Sequence, residues 1–323
     1  MSTTADSLLS DGRTDGDPWL VRLAWASLVV NILIVVSGGV VRLTGSGLGC
    51  PTWPRCTTGS FTPHAAMGIH AAIEFGNRMV TFLLAAVAIA TFVAAWRSGR
   101  TTIRRLALVL ALGVPAQAVI GGITVLTGLN PWTVAFHLLV SMAMVCVAVV
   151  LVQRVGEPDT PATPAVPMSV VWLARAVFVA GWAVLYVGTV VTGSGPHAGD
   201  SGAARNGLEP RAVSQLHTDL VFLMLGLSIA MMLVVRAIDA PARLRDAATV
   251  LVLVELGQGV VGFVQYFTGL PVAVVTLHLL GAGLTAASMT WHLLGTRRRI
   301  AVLAAAEAPS MQDLSHPVTE TLH

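Results

Sequence analysis

Gln117-Ala-Val-Ile-Gly121, followed by Thr127-Gly128-Leu129 and His137-Leu138-Leu139, is met again as Gln258-Gly-Val-Val-Gly262, Thr268-Gly269-Leu270 and His278-Leu279-Leu280. Gln117, Thr127 and His137 each stand 141 residues before their partners. Nearer the start of each half, Thr44-Gly-Ser-Gly47 returns as Thr192-Gly-Ser-Gly195. A repeat this long predicts two similar halves, each with an imidazole at the same place on a shared scaffold.

Composition puts that scaffold in a lipid bilayer. The chain is 55% hydrophobic and 11% charged, with a mean hydropathy of +0.78, far from the balance of soluble proteins. Apolar stretches run over 20–41, 72–96, 106–127, 133–153, 170–192, 215–235, 247–268 and 272–294. Each is near the ~20 residues a helix needs to cross the hydrocarbon core. The expectation is an all-α integral membrane protein with eight transmembrane helices.

All 19 basic residues are arginines, and their placement predicts an orientation. Arg97, Arg100, Arg104 and Arg105 lie between spans two and three, and Arg154 follows span four. Arg236, Arg243 and Arg245 follow span six; Arg297, Arg298 and Arg299 follow span eight. By the positive-inside rule these loops and both termini face the cytoplasm, in a multi-pass protein of the cell membrane, of the bacterial plasma membrane kind. The net charge of +3 then reflects topology and gives no reason to invoke nucleic acid. The organisation follows: a cytoplasmic tail over 1–19, a first bundle over 20–155, a proline-rich linker over 156–169, a second bundle over 170–296 and a tail over 297–323. Residues 1–17 are polar and acidic and do not read as a cleavable signal. Loops 42–71 and 193–214 fall on the outer side.

Most of the nine histidines are set aside by position. His316 and His323 are in the tail, His292 is near the cytoplasmic end of span eight, and His64 and His197 are in outer loops. His137, His217 and His278 remain, each near the outer end of an even-numbered span. A single intramembrane histidine is readily explained as a hydrogen bond between helices. His217 and His278, at one depth in one half with an apolar surround, instead match the needs of six-coordinate haem iron. Zinc or copper would want a third or fourth ligand.

The first half differs. Aligning Asn77-Arg-Met-Val-Thr-Phe82 with His217-Thr-Asp-Leu-Val-Phe222 sets Asn77 opposite His217, whereas the Thr-Gly-Ser-Gly register brings His70 there. The helical register is preferred, because loops absorb gaps more readily than helices. His70, Glu74 and Asn77 share a helix face. A carboxylate at the mouth of a membrane pocket can serve as base, proton relay or charge stabiliser, or simply favour a first helical turn. Glu74 has no acidic counterpart, since Ser214 stands in its place.

Cys50-Pro-Thr-Trp-Pro-Arg-Cys56 also belongs to the first half alone. An oxidising outer compartment favours a disulfide over free thiols, and a metal site would need ligands beyond the nearby His64. Cys146, within span four, reads as a small apolar residue. Gln117 and Gln258 read as links between helices. Glu255, where the first half has Val114, is either a proton relay or a neutral hydrogen-bonded carboxyl.

Gly38-Gly-Val-Val-Arg-Leu-Thr-Gly-Ser-Gly47, the Cys50–Cys56 segment and Glu74-Phe-Gly-Asn-Arg78 resemble the haem A synthase family, and the resemblance runs from about residue 20 to 295. It implies two four-helix bundles related by a pseudo-twofold, and oxidation of a methyl group of haem O to the formyl group of haem A for terminal oxidases. Two hydroxylations would give a gem-diol that loses water. The resemblance further implies a resident haem b between His217 and His278, haem O in the first half with His137 as an axial ligand, Glu74 as the catalytic carboxylate and a Cys50–Cys56 disulfide near the substrate. The family commonly has a second first-half histidine where this chain has Asn77, so His70 and Asn77 become candidates for the second side. Arg42 and Arg78 are candidates for haem propionates or interfacial anchors. Expected partners are haem O, the haem O synthase and an unidentified membrane electron donor. A non-catalytic di-haem b-type electron-transfer protein is the rival reading, and it leaves Glu74 and the cysteines unexplained. A small-solute transporter fits less well, because transporter repeats are often inverted whereas these run parallel.

Overall fold

The computed structural model describes residues 17–64 and 67–300. The histidines at 316 and 323, with most of both expected tails, lie outside the described residues. Among the described residues, eight helices are long and apolar enough to span a membrane: α1 (Pro18–Leu43), α2 (Gly68–Arg97), α3 (Thr101–Leu126), α4 (Pro131–Val155), α5 (Met168–Ser194), α6 (Pro210–Ala237), α7 (Ala242–Phe267) and α8 (Val272–Gly295). Several begin before the apolar stretch does, because a polar cap starts them. Asp17, Asn130 and Glu209 accept backbone N–H groups of the first turns of α1, α4 and α6, each ahead of a proline at the first helical position. There the missing proline N–H has no helical partner to lose.

The duplication is visible in the turns. Gly128 and Gly269 end α3 and α7 at φ 62° and 76°, and Leu129 and Leu270 follow at φ 59° and 62°. The N–H of Leu129 donates to the carbonyl of Thr124, and that of Leu270 to Gln265, each at 2.8 Å. A bulky residue in the left-handed region is uncommon, so the twin leucines mark one turn built twice.

Helices α1–α4 close into a ring in which each touches the next, and α5–α8 close into a second. The rings meet through α1 with α8, α4 with α8 and α4 with α5. Exchanging every helix for the one four places away leaves this set of neighbours unchanged. Residues such as Met142, Val145, Ala286 and Met289 fill the shared core. Glycines let large side chains nest against bare backbone there: Leu279 on Gly39, Met144 on Gly113 and Met289 on Gly181, as membrane helices packing without a hydrophobic driving force require. The outward faces are apolar too, with Phe82, Ile89, Phe222, Leu233 and Leu253 exposed, the pattern of helices bathed in lipid.

The all-α reading needs one small amendment, in the linker. Thr163–Pro164 (β1) pairs antiparallel with Arg297–Arg298 (β2). The linker is packed against both rings. Glu157 bonds to Gln153 at 2.9 Å, Arg154 at 3.1 Å and Arg243 at 3.2 Å, with Arg299 at 3.6 Å. Asp159 takes Arg100 at 2.9 Å and Arg154 at 3.1 Å. Arginines that read only as topology markers thus converge on two linker carboxylates. This arginine-rich face lies opposite the face bearing residues 44–64.

The hydrogen bond from Arg100 is the main reason the Asp159 carboxyl titrates below its ordinary value of 3.8. A carboxyl depressed by folding stabilises the fold above its unfolded pKa, and that contribution disappears as pH falls through the folded pKa. Asp159→Asn should therefore lower the thermal midpoint in detergent at neutral pH and converge with wild type as pH falls through the lowered Asp159 pKa. Because the side chain is 41% exposed, solvent screening keeps the difference within about 1 kcal/mol. A gap that persists in acid would show that the charge is not what Asp159 contributes.

Candidate functional site

The features that only the first half possesses come together. Cys50 and Cys56 are joined as a disulfide with an S–S distance of 2.07 Å, and both are buried. The N–H of Cys50 donates to Oε2 of Glu74 at 2.6 Å, and Nη2 of Arg78 donates to Oε1 of Glu74 at 2.6 Å. Arg78 also donates to the carbonyls of Pro54 and Thr52, each at 3.2 Å. One turn of α2 therefore offers an anion and a cation, and the disulfide loop fastens onto both. Glu74 is only 5% exposed, and its two charge-assisted hydrogen bonds offset the cost of taking a carboxylate out of water.

Trp53 and Gly49 seat the same loop on its neighbours. A Cβ on Gly122 of α3 would stand 2.5 Å from Cδ2 of Trp53, so the indole lies on bare backbone. The repeat partner of Gly122 is Phe263, in the half without such a loop. A Cβ on Gly49 would stand 2.5 Å from the His70 carbonyl oxygen, so this chain segment runs directly over the first turn of α2. Cys50→Ser should abolish the mobility difference between reduced and unreduced protein on gels; an unchanged difference would refute the pairing.

The histidines come from opposite corners of the rings. His217 is the eighth residue of α6 and His278 the seventh of α8, within about 1.5 Å of the same depth. In the first ring His137 is the seventh residue of α4, and the seventh residue of α2 is Glu74. Buried Leu84, Ala88, Thr91 and Ala95 of α2 stand 140 residues before buried Met224, Ser228, Met231 and Val235 of α6, a register that sets Asn77 opposite His217 and Glu74 one turn nearer the helix start.

Glycines give all three rings room. Cε1 of His137 is 3.3 Å from the Cβ that Gly121 lacks, Cε1 of His217 is 3.1 Å from that of Gly188, and Cε1 of His278 is 3.7 Å from that of Gly262. Gly121 and Gly262 are themselves repeat partners. Gln117 donates to the His137 carbonyl at 3.2 Å and Gln258 to the His278 carbonyl at 3.0 Å, so each amide braces its histidine helix. Nδ1 of His137, His217 and His278 is buried without a hydrogen-bond partner among the described residues. Half-buried imidazoles with unsatisfied nitrogens, backed by glycine and pointing in from opposite corners, fit axial ligation of a haem.

The other expected residues are engaged elsewhere. Asn77 Oδ1 accepts from Ser37 Oγ of α1 at 2.7 Å. His70, exposed at the third position of α2, pairs its Nδ1 with Ser46 Oγ at 3.0 Å, about 6 Å shallower than Glu74. Arg42 reaches the second half, donating to the carbonyls of His197 at 2.8 Å and Thr192 at 3.0 Å. Reading the sequence missed Trp53 and Gly122; the Gly122 and Phe263 contrast across the repeat is the signal that marks them.

Residues 21–199 match the COX15-CtaA family, described as cytochrome oxidase assembly protein. The chain belongs to this family. The matched stretch contains Cys50, Cys56, Glu74 and His137 and ends before His217 and His278. Among curated relatives, the heme A synthase of Lysinibacillus sphaericus is 30% identical over 179 residues, covering 54% of this chain and 58% of that protein. The heme A synthase of Bacillus pumilus is 30% identical over 138 residues, 41% of this chain and 44% of that protein. A protoheme IX farnesyltransferase of Halobacterium salinarum is 32% identical over 123 residues, 38% of this chain and 26% of that protein. The chain thus spans less than two thirds of the length of each of these relatives.

Proposed function

We propose that this chain is a haem A synthase, oxidising a methyl group of haem O to a formyl group by successive hydroxylations. The observation that carries the reading is the clamp on Glu74: a buried carboxylate, held by the disulfide loop and Arg78, in the same ring as His137. Nothing in the second ring repeats it. A rival di-haem electron carrier has no use for that clamp, nor for a loop sealed over it.

In this reading, residues 20–155 form the substrate bundle and 170–296 the bundle of the resident haem b, related by a pseudo-twofold. His137 binds the substrate iron. One strong protein ligand suits a group that must be released after reaction. Glu74 accepts or returns protons as the methyl carbon is hydroxylated, and its two donors keep it oriented. The loop carrying Trp53 restricts water at the outer end of the ring, which strengthens charge interactions within it. His217 and His278 hold the haem b. When bound there it supplies a one-electron carrier without a free coordination position. Arg42, tied to the carbonyls of 192 and 197, joins the halves beside these pockets and keeps Nη1 for a propionate. The arginine-rich face is cytoplasmic, both termini lie on that side, and the membrane is the cell membrane. A haem O synthase and a membrane electron donor are the expected partners.

Membranes that contain this chain and a source of haem O are expected to yield haem A on extraction. Recovery of haem O alone, from membranes holding the folded chain with its resident haem, would overturn the reading.

A further inference from the structure

Two ionisable side chains of the second ring have no part in the proposed chemistry. Glu255 of α7 is 6% exposed and His292 of α8 is 1% exposed. Oε1 of Glu255 accepts from Ser228 Oγ of α6 at 2.7 Å. Oε2 of Glu255 and both ring nitrogens of His292 are buried without a hydrogen-bond partner among the described residues. Ionisable groups at such depth are costly and mark pathways by default.

Side-chain packing fixes their places. Gly281 of α8 lies against the Gln258 side chain of α7, and Gly295 of α8 lies against Leu244, whose Cδ1 is 3.2 Å from a Cβ at 295. Both contacts obey one antiparallel register, which brings Thr285 level with Glu255. Gly281, Thr285, Ser288, His292 and Gly295 follow one another at spacings of four, three, four and three, so they form one stripe of α8 facing α7. At 1.5 Å per residue, His292, Ser288 and Thr285 lie ~5, ~10 and ~15 Å from the arginine-rich end, Glu255 ~16 Å and His278 ~25 Å. His292, Ser288 and Thr285 are thus about 5 Å apart in depth, a step one bridging water spans, and Thr285 stands level with Glu255.

The first ring shows what the scaffold holds without this line. Val114, Met144, Val147 and Leu151 stand 141 residues before Glu255, Thr285, Ser288 and His292, and Ala88 stands 140 before Ser228. All five are apolar. The first ring's own buried polar cluster contains no ionisable group and satisfies itself, through Ser27 Oγ with Thr91 Oγ1 at 3.1 Å and Asn31 on the Ser27 carbonyl at 2.8 Å. Five substitutions in one duplicated scaffold, all toward polarity and all along one line, call for a function of the line itself.

We propose that it is a proton-uptake path leading from the arginine-rich face through His292, Ser288 and Thr285 to Glu255. Water at that face protonates His292. The imidazolium gives the proton up through bridging water and the two hydroxyls, and the Glu255 carboxylate becomes a carboxyl while His292 returns to neutral. No electron moves and no other bond changes. Facing Glu255, α6 presents Ser228 and α8 presents Thr285; His278 and His292 are each about two turns away along α8, and the nearest ionisable group on α7 is Asp246. A proton on Glu255 sits where it offsets negative charge arriving at the level of His278 in a low-dielectric ring. That purpose rests on the resident-haem reading; the path does not.

Infrared difference spectroscopy of the purified full-length protein tests it. Transfer to deuterated buffer is expected to shift a protonated-carboxyl band that Glu255→Gln removes. His292→Leu, which installs the first-ring residue, should slow that exchange by about tenfold or more, and Thr285→Val, a smaller change on the same line, should slow it as well. Absence of a Glu255-dependent band, or wild-type exchange in a folded variant of either kind, overturns the path. The exchange needs no haem, so it can fail while His217 and His278 still hold one, and it can succeed if they do not.

Discussion

Glu74→Gln is expected to cut haem A formation by about 10²–10⁴-fold, the range associated with loss of a positioned acid or base, while haem O still accumulates and the protein still folds. The amide keeps an oxygen to accept the Cys50 N–H, which bonds to Glu74 at 2.6 Å. It removes the negative charge that Arg78 meets at 2.6 Å and the basicity a proton acceptor needs. Arg78 retains its bonds to the loop carbonyls, so the cover over α2 should stay in place. Glu74→Ala removes the anchor as well and should add a structural defect, visible as faster proteolysis of the 50–56 loop. The comparison separates two roles. If Glu74 only fastens the disulfide loop, the glutamine variant keeps most of its activity and the alanine variant does not. Extracting haems at a fixed time after induction and measuring the ratio of haem A to haem O reads the difference. A normal ratio in Glu74→Gln would remove Glu74 from the chemistry.

Much of this architecture was legible in the sequence because its signals are local and repeated. The spans follow from apolar length, and the twin Thr-Gly-Leu turns from recurrence at one offset. Gln117 and Gln258 read correctly as helix links because each needs only a carbonyl on the neighbouring helix. The clamp on Glu74 was not legible, since its decisive donor is the backbone N–H of Cys50, which any residue would provide. Arg42 and Arg78 read as propionate partners or anchors because a guanidinium near the outer face fits either; carbonyls 23 to 155 residues away are where the chain uses them. His292 lies near a span end and reads there as unimportant, yet it is 1% exposed. Contrast across the repeat carries the information that single positions lack: His292 against Leu151, Glu255 against Val114 and Gly122 against Phe263 each mark a place where one half departed from the common scaffold.

The two halves predict opposite responses to loss of a histidine. His278→Ala removes one of two imidazoles that stand at one depth on opposite corners of the second ring, and a haem left with a single strong ligand there changes from six-coordinate low-spin to a weaker, water-accessible state or is lost. The absorption spectrum of the purified protein should lose its low-spin haem b component in His278→Ala, and equally in His217→Ala. His137→Ala should leave that spectrum intact, because its ring belongs to the other bundle, and should instead block conversion of haem O. The backing glycines carry this further: Gly262→Val crowds the His278 ring from α7, where an added Cβ would stand 3.7 Å from Cε1, and should weaken haem retention without removing a ligand. Gly121→Val does the same to His137 and should depress haem A formation with the resident spectrum unchanged. Were the low-spin spectrum to vanish in His137→Ala and survive in His278→Ala, the resident and substrate bundles would have to be exchanged. Glu74 and its disulfide cover would then sit over the electron carrier, where a buried carboxylate would have no proton to handle.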